Sequence, residues 1–280
     1  MPGGYMLSIL IFLICVTVAY FLGSVCSAVI VSKIFELPDP RQEGSKNPGA
    51  TNVLRLSGKK YASIVLLGDM LKGFLPVILA KILGAGPTII GFTCLAAVIG
   101  HVFPVFFNYR GGKGVATAMG GLIGLNFPLG IIVIAIWLLV AKLSHYVSLA
   151  SIVSMVLAPI LSIIAIGNAH ALMPLIMVAL LILYKHSENI NRLMDGVEPK
   201  INLKSANIAQ IIIEETNDSE TPKDKPKPKA DAVKPKAAAA KAKVATAKAK
   251  VATAKAKVAA AKPKATATKP KAKTSTKKKE

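Results

Sequence analysis

From Met1 to Ser32 the chain carries no charged side chain. An apolar run of roughly 18 residues or more is long enough to cross a bilayer's hydrocarbon core. In lipid such a run forms a helix, because its backbone N–H and C=O groups find no water to bond. No basic residue precedes the run, so it reads as a first span and not as a signal peptide. Further apolar segments follow at Tyr61–Leu83, Thr88–Phe107, Val115–Ala141, Val147–Gly167 and Ala171–Tyr184. The expected fold class is an all-α polytopic membrane protein. Cys15, Cys26 and Cys94 lie inside these segments without CxxC or Cys/His spacing. They read as small buried apolar residues, and no metal site is expected.

The connections divide by charge. Lys33, Arg41, Lys46, Arg55, Lys59 and Lys60 share one; Arg110 and Lys113 mark the next, Lys142 a third, and Lys185, Arg192 and Lys200 a fourth. Between them lie the uncharged LGAGPT (83–88), NFPLG (126–130) and GNAHA (167–171). The positive-inside rule assigns the basic set to the cytoplasm. If Val115–Ala141 crossed once, Lys142 and the 185–200 segment would both fall outside. A reversal at Asn126-Phe127-Pro128, where Pro breaks a helix and Asn and Gly favour a turn, puts every basic connection inside. The expected architecture is then a seven-span helical bundle with its N-terminus outside and its C-terminus cytoplasmic. Each half of the divided segment, at roughly a dozen residues, is short for a ~30 Å core.

The chain also divides along its length, into residues 1–200 as a transmembrane domain, 201–221 as a linker and 222–280 as a disordered Lys/Ala/Pro-rich tail. The tail holds 20 lysines and three acidic residues, so it carries +17 of the net charge of +21. AKAKVAT (240–246, 247–253) and AKAKVAA (254–260) repeat every seven residues. Such a segment has too little apolar bulk to fold alone. Anionic lipid headgroups or nucleic acid are the partners its charge suits.

Four polar clusters fall on the side assigned to the cytoplasm: RQEGSKNPGATNVLR (41–55), NYRGGKGVATA (108–118), SHYVSLAS (144–151) and YKHSENINRLMDGVEPK (184–200). In the second, Gly111-Gly112-Lys113-Gly114 precedes a helix. Free N–H groups, the positive helix terminus and an ammonium can converge there on a phosphate. The spacing is not that of a P-loop. Each Gly-rich loop has a plainer reading as a tight turn, Ser148 as a hydroxyl bonded to a helix carbonyl, and His186 with Asn189 as a polar contact near the headgroups. Few carboxylates lie nearby: Asp39, Glu43, Glu188, Asp195 and Glu198. Within a span, Asp69 and Lys72 lie three apart and can pair on one helical face; intramembrane charges of this kind serve either structure or function.

GSKNPGATNVLR, GHVFPVFFNYRGGKGVATA, YVSLASI and KHSENINRL, in this order, resemble the successive signatures of the bacterial acyl-phosphate:glycerol-3-phosphate acyltransferases. The resemblance runs from about Leu22 to Lys200 and excludes the tail. Pro48 stands where family members commonly carry a branched aliphatic residue. The resemblance implies a seven-span bundle in the bacterial inner membrane with a cytoplasmic active site. It implies acyl transfer from acyl phosphate to the 1-hydroxyl of glycerol 3-phosphate, the first step of phospholipid synthesis. Gly44, Ser45, Asn47, Gly49, Thr51 and Asn52 resemble a loop cradling the acyl phosphate. Ser45, Arg55, Lys113, Ser148, His186 and Asn189 match positions that matter for activity, with His186 and Asn189 on the glycerol phosphate side. Gly111, Gly112 and Gly114 complete the substrate-binding set.

An acyl phosphate is a mixed anhydride with a good leaving group, so positioning and charge stabilisation can carry most of the rate. No acyl-enzyme, metal or cofactor is expected. The proton of the attacking hydroxyl goes to the departing phosphate or to His186. Two other readings are a transporter of a phosphorylated metabolite, which would typically show an internal repeat of spans, and a membrane-anchored nucleic-acid binder acting through the tail.

Overall fold

The computed structural model describes residues 2–201. The expectations for the tail and for nearly all of the linker lie outside the described residues. Ten α-helices form the described chain: α1 Pro2–Gly23, α2 Ser27–Ile34, α3 Ala50–Ser57, α4 Lys59–Ile82, α5 Pro87–Val102, α6 Val115–Leu125, α7 Phe127–Ser144, α8 Val147–Ile166, α9 Leu172–Lys185 and α10 Ser187–Met194. Five segments are long and apolar enough to cross a membrane: Tyr5–Ile34, Lys59–Ile82, Pro87–Phe107, Phe127–Ser144 and Val147–Ile166. Two shorter apolar helices, Val115–Leu125 and Leu172–Lys185, accompany them.

The long segment at 115–141 is broken where its sequence suggests. Asn126 ends α6 and caps α7, its side-chain oxygen accepting from the Leu129 N–H at 3.0 Å, with Pro128 in the first turn. The two halves are unequal. α6 has 11 residues, but α7 runs to 18, longer than the expected dozen. The first apolar segment is not one continuous helix. It breaks at Ser24–Cys26, where Ser24 Oγ turns back to the Tyr20 carbonyl at 2.8 Å and Lys72 Nζ caps the freed Val25 carbonyl at 2.7 Å.

The contacts among the connections sort them to two ends. At one end the uncharged connections join: Thr88 Oγ1 donates to the His170 carbonyl at 2.9 Å, and Asn126 Nδ2 to the Ala165 carbonyl at 3.3 Å. The basic connections gather at the other. The core between them packs Val77, Cys94, Val98, Leu122, Leu129 and Leu175 from five helices. α4 and α6 approach closely because glycines line their seam. A Cβ on Gly73 would lie 2.0 Å from the Thr117 carbonyl oxygen, and one on Gly120 1.9 Å from that of Met70. Close backbone approach of this kind replaces the hydrophobic driving force that lipid removes. Tyr5, Leu67, Leu139, Ile164 and Leu180 are exposed, as lipid-facing side chains of a membrane bundle are.

Candidate active site

The site is built at the basic end, where α5, α7 and α9 finish and α4, α6 and α8 begin. The GGKG segment runs from the end of α5 to α6. A Cβ on Gly111 would lie 1.9 Å from the His101 carbonyl oxygen, and one on Gly112 2.2 Å from His101 Nε2. Only glycine lets this loop lie so close to α5. Gly114 takes φ +86 as the cap of α6. Lys113 therefore emerges at the helix N-terminus, half-buried, and its Nζ donates to Asn189 Oδ1 on α10.

α10 continues the line of the third and fourth polar clusters. After Met194 the chain reverses through Gly196 at φ +70, and the N–H groups of Val197 and Glu198 return to the Arg192 carbonyl. This folds Glu198 back onto α10. Its carboxylate accepts from Asn189 Nδ2 and from Arg192 Nε, each at 2.7 Å. The continuous order is Lys113, Asn189, Glu198, Arg192, so the amide of Asn189 is oriented from both sides. Ser148, buried at the start of α8, has no hydrogen-bond partner of good geometry among the described residues, although it is near enough to Glu198 to favour the ionised carboxyl.

His186 sits between α9 and α10, 3% exposed. Its Nδ1 lies 2.8 Å from the Ile182 carbonyl. A carbonyl only accepts, so Nδ1 carries the proton and Nε2 is left as an acceptor. Burial pushes the imidazole down to about 4, so it is neutral near pH 7. Burial also lowers the Lys113 ammonium to about 8, with Arg192 adding to the effect and Glu198 opposing it. Burial resists ionisation of Glu198, but hydrogen bonds from Asn189 and Arg192, with the Ser148 hydroxyl close by, outweigh it and hold the carboxyl below its usual range.

The 40–52 loop forms a second cluster, organised around Asn52. This residue is 1% exposed. Its Oδ1 accepts from the Ser45 N–H at 2.9 Å, and its Nδ2 donates to the carbonyls of Pro40 and Glu43, both at 3.0 Å. Asn52 is thus the internal brace of the loop, with its amide engaged inside it. Gly44 takes φ +64, and a Cβ there would lie 2.3 Å from Asn52 Oδ1. Gly49 begins α3 in extended conformation, and Asn47 and Thr51 are half-buried beside it. Ser45 is exposed. Arg55, in the last turn of α3, is exposed and makes no ion pair among the described residues.

The 40–52 loop faces the 109–111 segment and Lys185 across a cavity of about 260 Å³ lined by Arg41, Lys46, Pro48, Tyr109, Arg110, Gly111 and Lys185. Arg41 is held by Asp39, which accepts from its Nη2 at 2.7 Å. The cavity wall thus carries four cations and opens beside the GGKG loop. The structure brings Lys113, Ser148, His186 and Asn189 together and places Lys46 and Gly111 on one cavity. It records no contact joining Arg55 or Ser45 to the Lys113 group. Glu198, Arg192 and the cavity cations Arg41, Lys46, Arg110 and Lys185 were not among the expected site residues. The signal for the first two was faint: opposite charges six apart across a Gly, in a chain poor in carboxylates.

Residues 13–196 match the family model described as glycerol-3-phosphate acyltransferase. A glycerol-3-phosphate acyltransferase of Legionella pneumophila (strain Corby) is 56% identical over 202 residues, 72% of this chain and 73% of that protein. One of Coxiella burnetii (strain RSA 493 / Nine Mile phase I) is 50% identical over 192 residues, 69% of this chain and 99% of that protein. Among solved structures, PlsY (YgiH), an integral membrane glycerol 3-phosphate acyltransferase, superposes in its glycerol 3-phosphate form with a TM-score of 0.66 at 39% identity, covering 70% of this chain and 98% of that one. The lysophosphatidic acid form of that enzyme gives a TM-score of 0.63 at the same identity, covering 68% and 95%. The extent and identity of these matches make the chain a member of the glycerol-3-phosphate acyltransferase family.

Proposed function

We propose that this chain transfers an acyl group from acyl phosphate to the 1-hydroxyl of sn-glycerol 3-phosphate, giving 1-acylglycerol 3-phosphate and inorganic phosphate. The observation that carries the reading is the Lys113–Asn189 pair, held beside a buried, acceptor-ready His186 at the same end of the bundle as a cavity walled by cations. Both substrates are phosphate anions, and this end of the bundle offers cations and free helix N–H groups with few carboxylates.

In the reaction the glycerol hydroxyl oxygen attacks the carbonyl carbon, and the bond from that carbon to the phosphate oxygen breaks. The electron pair leaves on phosphate. The hydroxyl proton passes to His186 Nε2 or to the departing phosphate. Lys113 stabilises negative charge that grows on the leaving group or the carbonyl oxygen. Asn189 and Glu198 keep that ammonium in place.

The reading extends to placement. Seven crossings, N-terminus out and the basic end in the cytoplasm of a bacterial inner membrane, are supported by the break at Asn126 and the segregation of charged from uncharged loops. Residues 1–200 are the catalytic domain, 201–221 the linker and 222–280 a tail that binds anionic lipid or nucleic acid and takes no part in chemistry. The test is turnover by purified protein supplied with acyl phosphate and glycerol 3-phosphate, followed as phosphate release and lysophosphatidate formation. Comparable turnover with acyl-CoA refutes the donor, and no product with either refutes the activity.

A further inference from the structure

Three buried polar side chains take no part in the proposed chemistry, yet they stand directly behind the GGKG loop. Asp69 and Lys72, on α4, pair at 2.9 Å, with their side chains 3% and 7% exposed. Lys72 Nζ also donates to the Val25 carbonyl at the break between α1 and α2. His101, in the last turn of α5 and 6% exposed, directs its Nδ1 toward Thr117 Oγ1 at 3.1 Å and Asp69 Oδ1 at 3.7 Å. Its other face meets the loop. A Cβ on Gly112 would fall 2.2 Å from His101 Nε2, and the Gly112 N–H donates to the His101 carbonyl at 3.2 Å.

Burying an ion pair in a membrane bundle is costly and is a poor way to gain stability. A more specific return is rotational: a histidine bonded on one edge cannot turn, and a loop resting on its other edge then has one height. Lys113 is the next residue after Gly112. The chain of contacts passes from the α1–α2 break through Lys72, Asp69 and His101 to the loop that carries the ammonium.

Building on the function proposed above, we propose that Asp69, Lys72 and His101, with Thr117, are positioning residues that set the height of the GGKG loop and so the affinity of the Lys113–Asn189 pair for glycerol 3-phosphate. None of them touches substrate. A loop displaced from α5 loses the alignment of Lys113 with Asn189, which weakens binding of the acceptor more than that of the donor, whose cavity shares Gly111 with the loop but keeps Arg41, Lys46 and Lys185.

The test uses the full chain in detergent, with KM measured separately for glycerol 3-phosphate and for acyl phosphate. His101→Leu keeps volume and removes the ring nitrogens; it is expected to raise KM for glycerol 3-phosphate fivefold or more, with KM for acyl phosphate within twofold. Asp69→Asn combined with Lys72→Gln removes both charges together and is expected to behave like His101→Leu. Should these changes unfold the chain, Thr117→Val removes one hydroxyl at constant volume, and in folded protein it is expected to raise the acceptor KM at least twofold. A fall in kcat with both KM values unchanged is loss of active protein and overturns the proposal. So does a parallel rise of both KM values, or no effect of Thr117→Val. The unsubstituted protein runs alongside: its failure to turn over refutes the functional reading itself, whereas its turnover with unshifted variants refutes only the positioning role.

Discussion

Glu198 is the residue whose replacement reads the site most directly. Its two carboxylate oxygens accept one bond each, from Asn189 Nδ2 and Arg192 Nε, both at 2.7 Å, and its side chain is 7% exposed. Glu198→Gln keeps the shape. It leaves one acceptor oxygen and puts an NH2 where the other stood, so either Asn189 or Arg192 faces a donor. A hydrogen bond to a charged group contributes about 1.5–3 kcal/mol. If about 2 kcal/mol of that alignment is felt in the transition state, kcat/KM falls about 30-fold. The substitution has a second signature. Glu198 holds the Lys113 ammonium up against burial and Arg192. Without it Lys113 loses its proton at lower pH, so the alkaline limb of kcat/KM, set near pH 8 in the parent protein, moves downward. Both quantities come from initial rates of phosphate release in detergent across pH 6 to about 9.5, with thermal unfolding as the control for folding. A folded variant within twofold of the parent, with its alkaline limb in place, refutes the claim that Glu198 orients Asn189 and Lys113.

Lys113→Ala and Arg55→Ala are each expected to lose about 3 kcal/mol of transition-state stabilisation, on the order of a hundredfold, as loss of an oxyanion donor does; a fall below tenfold in folded protein removes either residue from the site. With His186 near 4 and Lys113 near 8, kcat/KM, once corrected for the phosphate ionisation of glycerol 3-phosphate at about 6, is expected to be flat from about pH 5.5 to 7.5 and to fall above about 8, with the limb for kcat at higher pH because bound phosphate favours the ammonium; a His186 imidazole titrating near 6.5 by NMR refutes the neutral, buried His186. In a background lacking the three native cysteines, cysteines at Gly86, Asn126 and Asn168 are expected to label from outside and ones at Lys46, Gly112 and Asn189 only from the cytoplasm. Cytoplasmic labelling at 126 refutes the seven-span reading. Truncation after Asn217 is expected to hold specific activity within about twofold, and inactivity of the folded truncated enzyme refutes the division between catalytic domain and tail.

What the sequence reveals of this fold depends on how local the cause is. The break at Asn126 is legible because Asn caps and Pro starts the next helix within three residues. The Asp69–Lys72 pair is legible because i and i+3 share a face. The break at Ser24–Cys26 is not, because no Pro or charge marks it and the carbonyl it frees is capped by Lys72, 47 residues away. The same holds at the site. Lys113 and Asn189 were each expected there, but their bond spans 76 residues. Glu198 arrives through a reversal at Gly196 that only the folded chain displays. Asn52 shows the opposite limit: its place in a Gly/Asn-rich loop suggests a substrate ligand, whereas its burial and three internal bonds make it the loop's brace.

The arrangement explains how a bundle in lipid can support transfer between two anions without a nucleophile of its own. Cations cannot gather at such a site without cost, since like charges repel more strongly where water is scarce. The chain limits that cost in two ways. It leaves Lys46 and Arg110 exposed at the mouth of the cavity, where solvent screens them, and it holds the more buried Arg192 and Lys113 against a single carboxylate at Glu198. The remaining positive excess is what the substrates neutralise. In the proposed reaction, binding draws both phosphates to fixed places at the basic end of the bundle, and the anhydride needs only an oriented hydroxyl and an acceptor for one proton. There His186, uncharged because it is buried, offers one such acceptor without adding another cation to the site, and the departing phosphate is the other.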